Sequence, residues 1–209
     1  MQPTCIAHAQ SPVPSAPITP DPSTALNALP LNQLWTALDN LRRVPLAELI
    51  ANAEARPAET SAEFKAAVLA VLRAREHRLR GASQACLALL GPALPVLEAH
   101  GALDFAVSGY LEESHAQIDW GDYGAAIGSL EEAERVIEMG VDRTLAARVK
   151  SALGRIYSRI GNHQTAIRLI LAARDEAVAL HSINLAATWS VNLSVASMRA
   201  WESGSLAGE

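Results

Sequence analysis

Leu153-Gly154-Arg155-Ile156-Tyr157-Ser158-Arg159-Ile160-Gly161-Asn162-His163-Gln164-Thr165-Ala166 is the stretch that decides how this chain folds. Its second half, Gly161-Asn162-x-x-x-Ala166, has a counterpart 40 residues earlier in Gly121-Asp122-x-x-x-Ala126. The same offset relates Leu145-Ala146-Ala147 to Leu185-Ala186-Ala187. Self-similarity at a fixed step of this size marks stacked units, each burying its apolar face on the next, rather than one closed core.

Working outward from that stretch, each half of the unit reads as a helix. Thr144 to Ile160 is a first helix, Gly161-Asn162 its turn, and His163 to Leu180 the antiparallel partner, with Ala166, Leu169, Ile170 and Ala173 on one face. The preceding unit repeats this: Leu103 to Trp120, Gly121-Asp122, then Tyr123 to Met139 with Ile127, Leu130, Ala133 and Ile137 on one face. Asn184 to Ala200 is a third such first helix, and its partner would begin near Glu209.

Upstream the pattern loosens. Residues 1–30 hold seven of the eleven prolines and no apolar periodicity, so a disordered, polyproline-like leader is expected there. Leu34, Trp35, Leu38 and Leu41 suit a helix from about Leu31, and Leu46 to Ala55 a second that Pro57 closes. Thr60 or Ser61 caps the next helix, with Glu63 in its first turn, and it runs to about Arg80. Gln84 to Leu90 starts another that Gly91-Pro92 and Pro95 are expected to interrupt, with Val96 to His100 resuming it. The division expected is therefore leader (1–30), N-terminal helical segment (31–100) and repeats (101–209), the last repeat incomplete.

Composition agrees with an all-α protein: half of the 209 residues are apolar, rich in Ala and Leu, with few aromatics. A net charge of -5 argues against a nucleic-acid partner. The local cluster Arg73, Arg75, His77, Arg78 and Arg80 reads as a solvated helix end, where cations meet the negative pole of the dipole. No signal peptide is visible and no apolar run is long enough to span a bilayer, so a cytoplasmic protein without membrane contact is expected. Cys5 and Cys86 form no metal pair by spacing. Six histidines lack the spacing of a metalloenzyme, and no phosphate-binding glycine motif appears, so neither metal nor cofactor nor enzyme activity is expected. Glu131, Glu132, Glu134 and Glu138 lie on a solvated face.

Leu153, Gly154, Tyr157, Gly161, Ala166 and Ala173 resemble the tetratricopeptide repeat. The match weakens in 107–140, where Glu113, Ser114 and Gln117 stand at the Leu, Gly and Tyr places, and in 187–209, where Ser197 and Trp201 replace Tyr and Gly. The longer 40-residue step resembles the variant found in N-terminal regions of bacterial signalling proteins. That resemblance implies a right-handed α-solenoid of antiparallel helical hairpins that binds a protein or peptide as a regulatory or sensory segment. An alternative is the N-terminal regulatory part of a diguanylate cyclase or other nucleotide cyclase whose catalytic domain lies outside this chain. A quorum-sensing type of sensor for a small molecule or peptide is a third.

In such an array the concave face is lined by first helices, which makes Ser108, Glu112, His115, Asp119, Arg148, Ser151, Arg155, Arg159, Asn192 and Arg199 the candidate groove. Arg148, Arg155 and Arg159 recur at helical steps and would align guanidinium groups for a carboxylate or an acidic segment. The competing expectation is that they pair with Glu112 and Asp119 on the preceding helix. The four tryptophans suit packing between units, Trp189 excepted, because the uncharged helix Asn184 to Met198 is expected to lack a complete cover and to invite homodimerisation.

Overall fold

Gly121 and Gly161 both sit at bends between antiparallel rods, with φ of +80° and +85°. A side chain at such a backbone conformation meets steric strain, which is why glycine ends these helices. The computed structural model describes residues 30, 31, 34, 45–57 and 61–204. The expected leader, and most of the expected helix from Leu31, lie outside them.

The described residues form eight helices and no strand: α1 (Leu46–Ala55), α2 (Ala62–Leu79), α3 (Ser83–Ala99), α4 (Leu103–Trp120), α5 (Tyr123–Ile137), α6 (Arg143–Arg159), α7 (His163–Ala179) and α8 (Ile183–Glu202). Local chemistry sets the starts. Ser61 caps α2, its Oγ accepting from the Phe64 amide at 3.0 Å, and Asp122, Asp142 and Asn162 cap α5, α6 and α7 in the same way. The α5 helix stops at Ile137, short of the expected Met139, which lies in the turn before Gly140.

The chain is an α-solenoid of antiparallel hairpins. Each of α2, α4 and α6 packs on the helix that follows it, while α2, α4, α6 and α8 also touch one another in succession and form one wall. The small residues of the quoted stretch let the rods nest. A Cβ added to Gly154 would lie 2.6 Å from Ile170 Cγ1 and 3.1 Å from the Ala166 carbonyl oxygen. At the equivalent place in α4, Ser114 is fully buried, and its hydroxyl is satisfied by donating to the Leu111 carbonyl at 2.9 Å. The core is continuous from Leu31 and Leu34 through Phe105 to Leu153 and Ile156, and Ile170, Trp189 and Ala196 extend the packing toward α8.

Two expectations change here. Pro92 and Pro95 do not interrupt α3, which runs unbroken from Ser83 to Ala99. The carbonyls that lose their amide partners belong to Ala88 and Gly91, and these residues and both prolines are exposed, so water can satisfy the orphaned acceptors. Leu90, Ala93, Leu94 and Leu97 meanwhile anchor the opposite face. The second change concerns Trp189, which is buried against α6 and α7 rather than left uncovered. What α8 exposes is the stripe Ile183, Val191, Met198 and Trp201, between 55% and 80% accessible.

Candidate binding groove

The wall of first helices is hollow. One cavity of about 180 Å³ is framed by α2, α4, α6 and α8, with Leu111, Leu145, Leu185 and Trp189 as its apolar lining and Glu112, Arg148, Ser151 and Asn192 among its polar groups. A second, of about 490 Å³, shares Arg78, His115, Arg155 and Asn192 with the first and continues to Asp119, Ser158, Arg159 and Arg199. All nine residues of the candidate groove that start at Glu112 and end at Arg199 line one or both, as does Ser108. Helical periodicity explains this convergence: positions three and four apart on each first helix share one face, and stacking places those faces side by side.

The trough is electropositive. Arg159 of α6 and Arg199 of α8 stand at equivalent positions 40 residues apart, and Arg78 of α2 joins them in the lining of the second cavity. Arg75, Arg148 and Arg155 add to it, against two carboxylates. One carboxylate is already engaged. Glu112 is buried, 5% accessible, and is held by Arg78 Nε at 2.5 Å and Arg75 at 3.5 Å, both from α2. The solvated-end expectation therefore fails for Arg75 and Arg78, which are about one-fifth exposed, and holds for Arg73 and Arg80. Isolating them in water would leave Glu112 a buried, unpaired charge, which is far costlier than the pairing.

Glu112 is thus held from α2, and Arg155 and Arg159 of α6 do not pair with it as expected. Among the described residues, Arg155, Arg159 and Arg199 have no ion-pair partner within 4.0 Å. Burial, followed by the charges of Arg159 and Arg78, holds the Arg155 guanidinium below its ordinary range, with Asp119 opposing them. His115, whose Nδ1 is out of solvent and has no hydrogen-bond partner, is kept well below the usual histidine value by burial and then by Arg155, Arg78, Arg75 and Arg148. It stays neutral among cations. The site therefore presents donors and positive charge without a matching set of acceptors.

Sequence reasoning missed Arg78, Arg75 and Ser158. Stepping back by 40 residues from Arg159 and then Asp119 reaches Leu79, one residue past Arg78, so the repeat register did not flag that arginine. Nothing local flags Ser158, whose hydroxyl is buried without a partner. Among the described residues no group of His, Cys, Asp or Glu is placed to hold a metal ion, and no helix is long and apolar enough to cross a membrane.

No protein-family model and no curated protein matches the sequence. Among solved structures, the apo form of RapI aligns over 81% of this chain with a TM-score of 0.64 at 13% identity. This chain spans 63% of the length of the RapI chain. At that identity the likeness shows a shared helical-repeat fold and nothing about ligands.

Proposed function

We propose that this chain is a non-catalytic helical-repeat scaffold of the tetratricopeptide type, whose first-helix groove takes a carboxylate-bearing segment of a peptide or partner protein. The observation that supports this most is the cluster of arginines lining the groove of a chain of net charge -5, with Arg155, Arg159 and Arg199 lacking ion-pair partners among the described residues. Fixed guanidinium forks match carboxylates in geometry as well as charge. The apolar lining at Trp189 and Leu185 gives such a segment a side-chain anchor. In this proposal the hairpin of α2 and α3 is the first unit of the array, since it supplies Arg75 and Arg78 to the groove. The 40-residue step, by its resemblance to regulatory arrays, favours a regulatory role in bacterial cytoplasmic signalling.

Panning a random peptide library on the immobilised chain tests the groove. The expected result is retention of Asp- and Glu-rich peptides with an apolar residue, lost when Asn192→Trp fills the junction of the two cavities. Peptides retained equally by that variant, or no retained peptides at all, would remove the assignment.

The exposed stripe of α8 supports a second surface. Ser194 stands where Gly154 and Ser114 pack against their partner helices, yet it is exposed along with Val191 and Met198. We read this stripe, within Asn184 to Met198, as a self-association face. Light scattering should show a dimer that Val191→Glu with Met198→Glu dissociates; a strictly monomeric wild type would contradict it.

A further inference from the structure

A third cavity, of about 620 Å³, opens at the end of the groove beside the α6–α7 turn, and its lining includes Ser158, Arg159, Gly161, His163, Arg199 and Glu202. It shares Ser158, Arg159 and Arg199 with the second cavity of the groove and adds His163 and the α6–α7 bend. Ser158 and His163 are 6% and 8% accessible, and neither Ser158 Oγ nor His163 Nδ1 has a hydrogen-bond partner. Buried polar atoms left in this state are destabilising unless something completes them.

Three independent features converge on this cavity. His163 is the first residue of α7, a 17-residue helix, so the positive pole of that helix faces the cavity at the Gly161 bend. Arg159 and Arg199 come from adjacent first helices at equivalent positions and, among the described residues, have no ion-pair partner. The third feature is the pair of unsatisfied groups on Ser158 and His163. Glu202, the one carboxylate in the lining, is exposed.

We infer that this cavity is a site for a phosphate monoester or free phosphate, held by Arg159 and Arg199 with Ser158, His163 and the α7 N-terminus completing its shell. Two guanidinium charges balance a dianion, and a hydroxyl from α6 and an imidazole from α7, added to guanidinium groups from α6 and α8, suit four tetrahedral oxygens better than the two coplanar oxygens of a carboxylate. The site shares Arg159 and Arg199 with the groove, but the inference does not depend on the identity of any segment bound there, because phosphate alone should bind.

Calorimetric titration of the full chain with inorganic phosphate, with sodium chloride at equal ionic strength as the control, tests this. Saturable binding is expected, weakened roughly tenfold by Ser158→Ala and more than tenfold by Arg199→Gln, as fits hydrogen bonds to a charged group. Arg199 is exposed, so its variant folds even where Ser158→Ala strains α6. A phosphoserine peptide that outcompetes inorganic phosphate would assign the site to a modified side chain; the reverse order would assign it to free phosphate. Heat no different from the chloride control, or affinities unchanged in both variants, would overturn the site while leaving the peptide groove to its own test.

Discussion

Replacing Gly154 by alanine isolates the close approach on which the stacking depends. In an isolated helix the change stabilises, because alanine loses less conformational entropy than glycine, by about 1 kcal/mol. At Gly154 the new methyl would lie 2.6 Å from Ile170 Cγ1 and 3.1 Å from the Ala166 carbonyl oxygen, against ordinary carbon contacts of roughly 3.5–4.0 Å. Ile170 is fully buried and Ala166 offers backbone, so neither yields cheaply; α6 and α7 must separate. Overpacking of this kind costs about 1–3 kcal/mol, and with two contacts the upper half of that range applies. A net loss of about 1–2 kcal/mol follows. Gly128, in the middle of α5, has nothing within 4 Å of its added Cβ, so Gly128→Ala should stabilise by about 0.5–1 kcal/mol. Urea unfolding of both variants, compared through midpoint and slope, reads the two signs directly. If Gly154→Ala stabilised the protein as Gly128→Ala does, the nested hairpins described above would be wrong.

Two further outcomes follow from the charges of the groove. Glu112→Gln leaves Arg75 and Arg78 unbalanced, so unfolding experiments should show a loss of about 2–3 kcal/mol, while acidic peptides recovered by panning should bind the folded variant more tightly; unchanged stability would show that the buried triad carries no weight. His115 gives a pH dependence. Its folded value lies well below the ordinary 6.5 of the unfolded chain, so its contribution is complete above that value and is lost as pH falls toward the folded value, at up to about 1.4 kcal/mol per pH unit. Chemical denaturation of wild type and His115→Asn across this range should diverge on the acid side, and parallel profiles would refute the burial argument.

Helix placement was legible because its signals are local. Ser61, Asp122 and Asn162 announce helix starts within three residues of the amides they cap, and Gly121 and Gly161 mark bends through their own backbone angles. The groove was legible through the same periodicity, once first helices were distinguished from second. What escaped depended on distant partners. Pro92 and Pro95 read as breakers because sequence does not say that the carbonyls they orphan face water. Arg75 and Arg78 read as solvated because their partner, Glu112, lies on another helix of the wall. Trp189 read as uncovered because its cover depends on which side of α8 turns toward α6 and α7.

Hydrogen–deuterium exchange of the chain, with and without a peptide recovered by panning, bears most directly on the central claim that the first-helix wall is the binding surface. Added protection should fall on α4, on α6 from Arg148 to Arg159, and on α8 around Asn192, with the second helices α5 and α7 unchanged. Protection confined to α5 and α7, or to the exposed stripe from Ile183 to Met198, would contradict it.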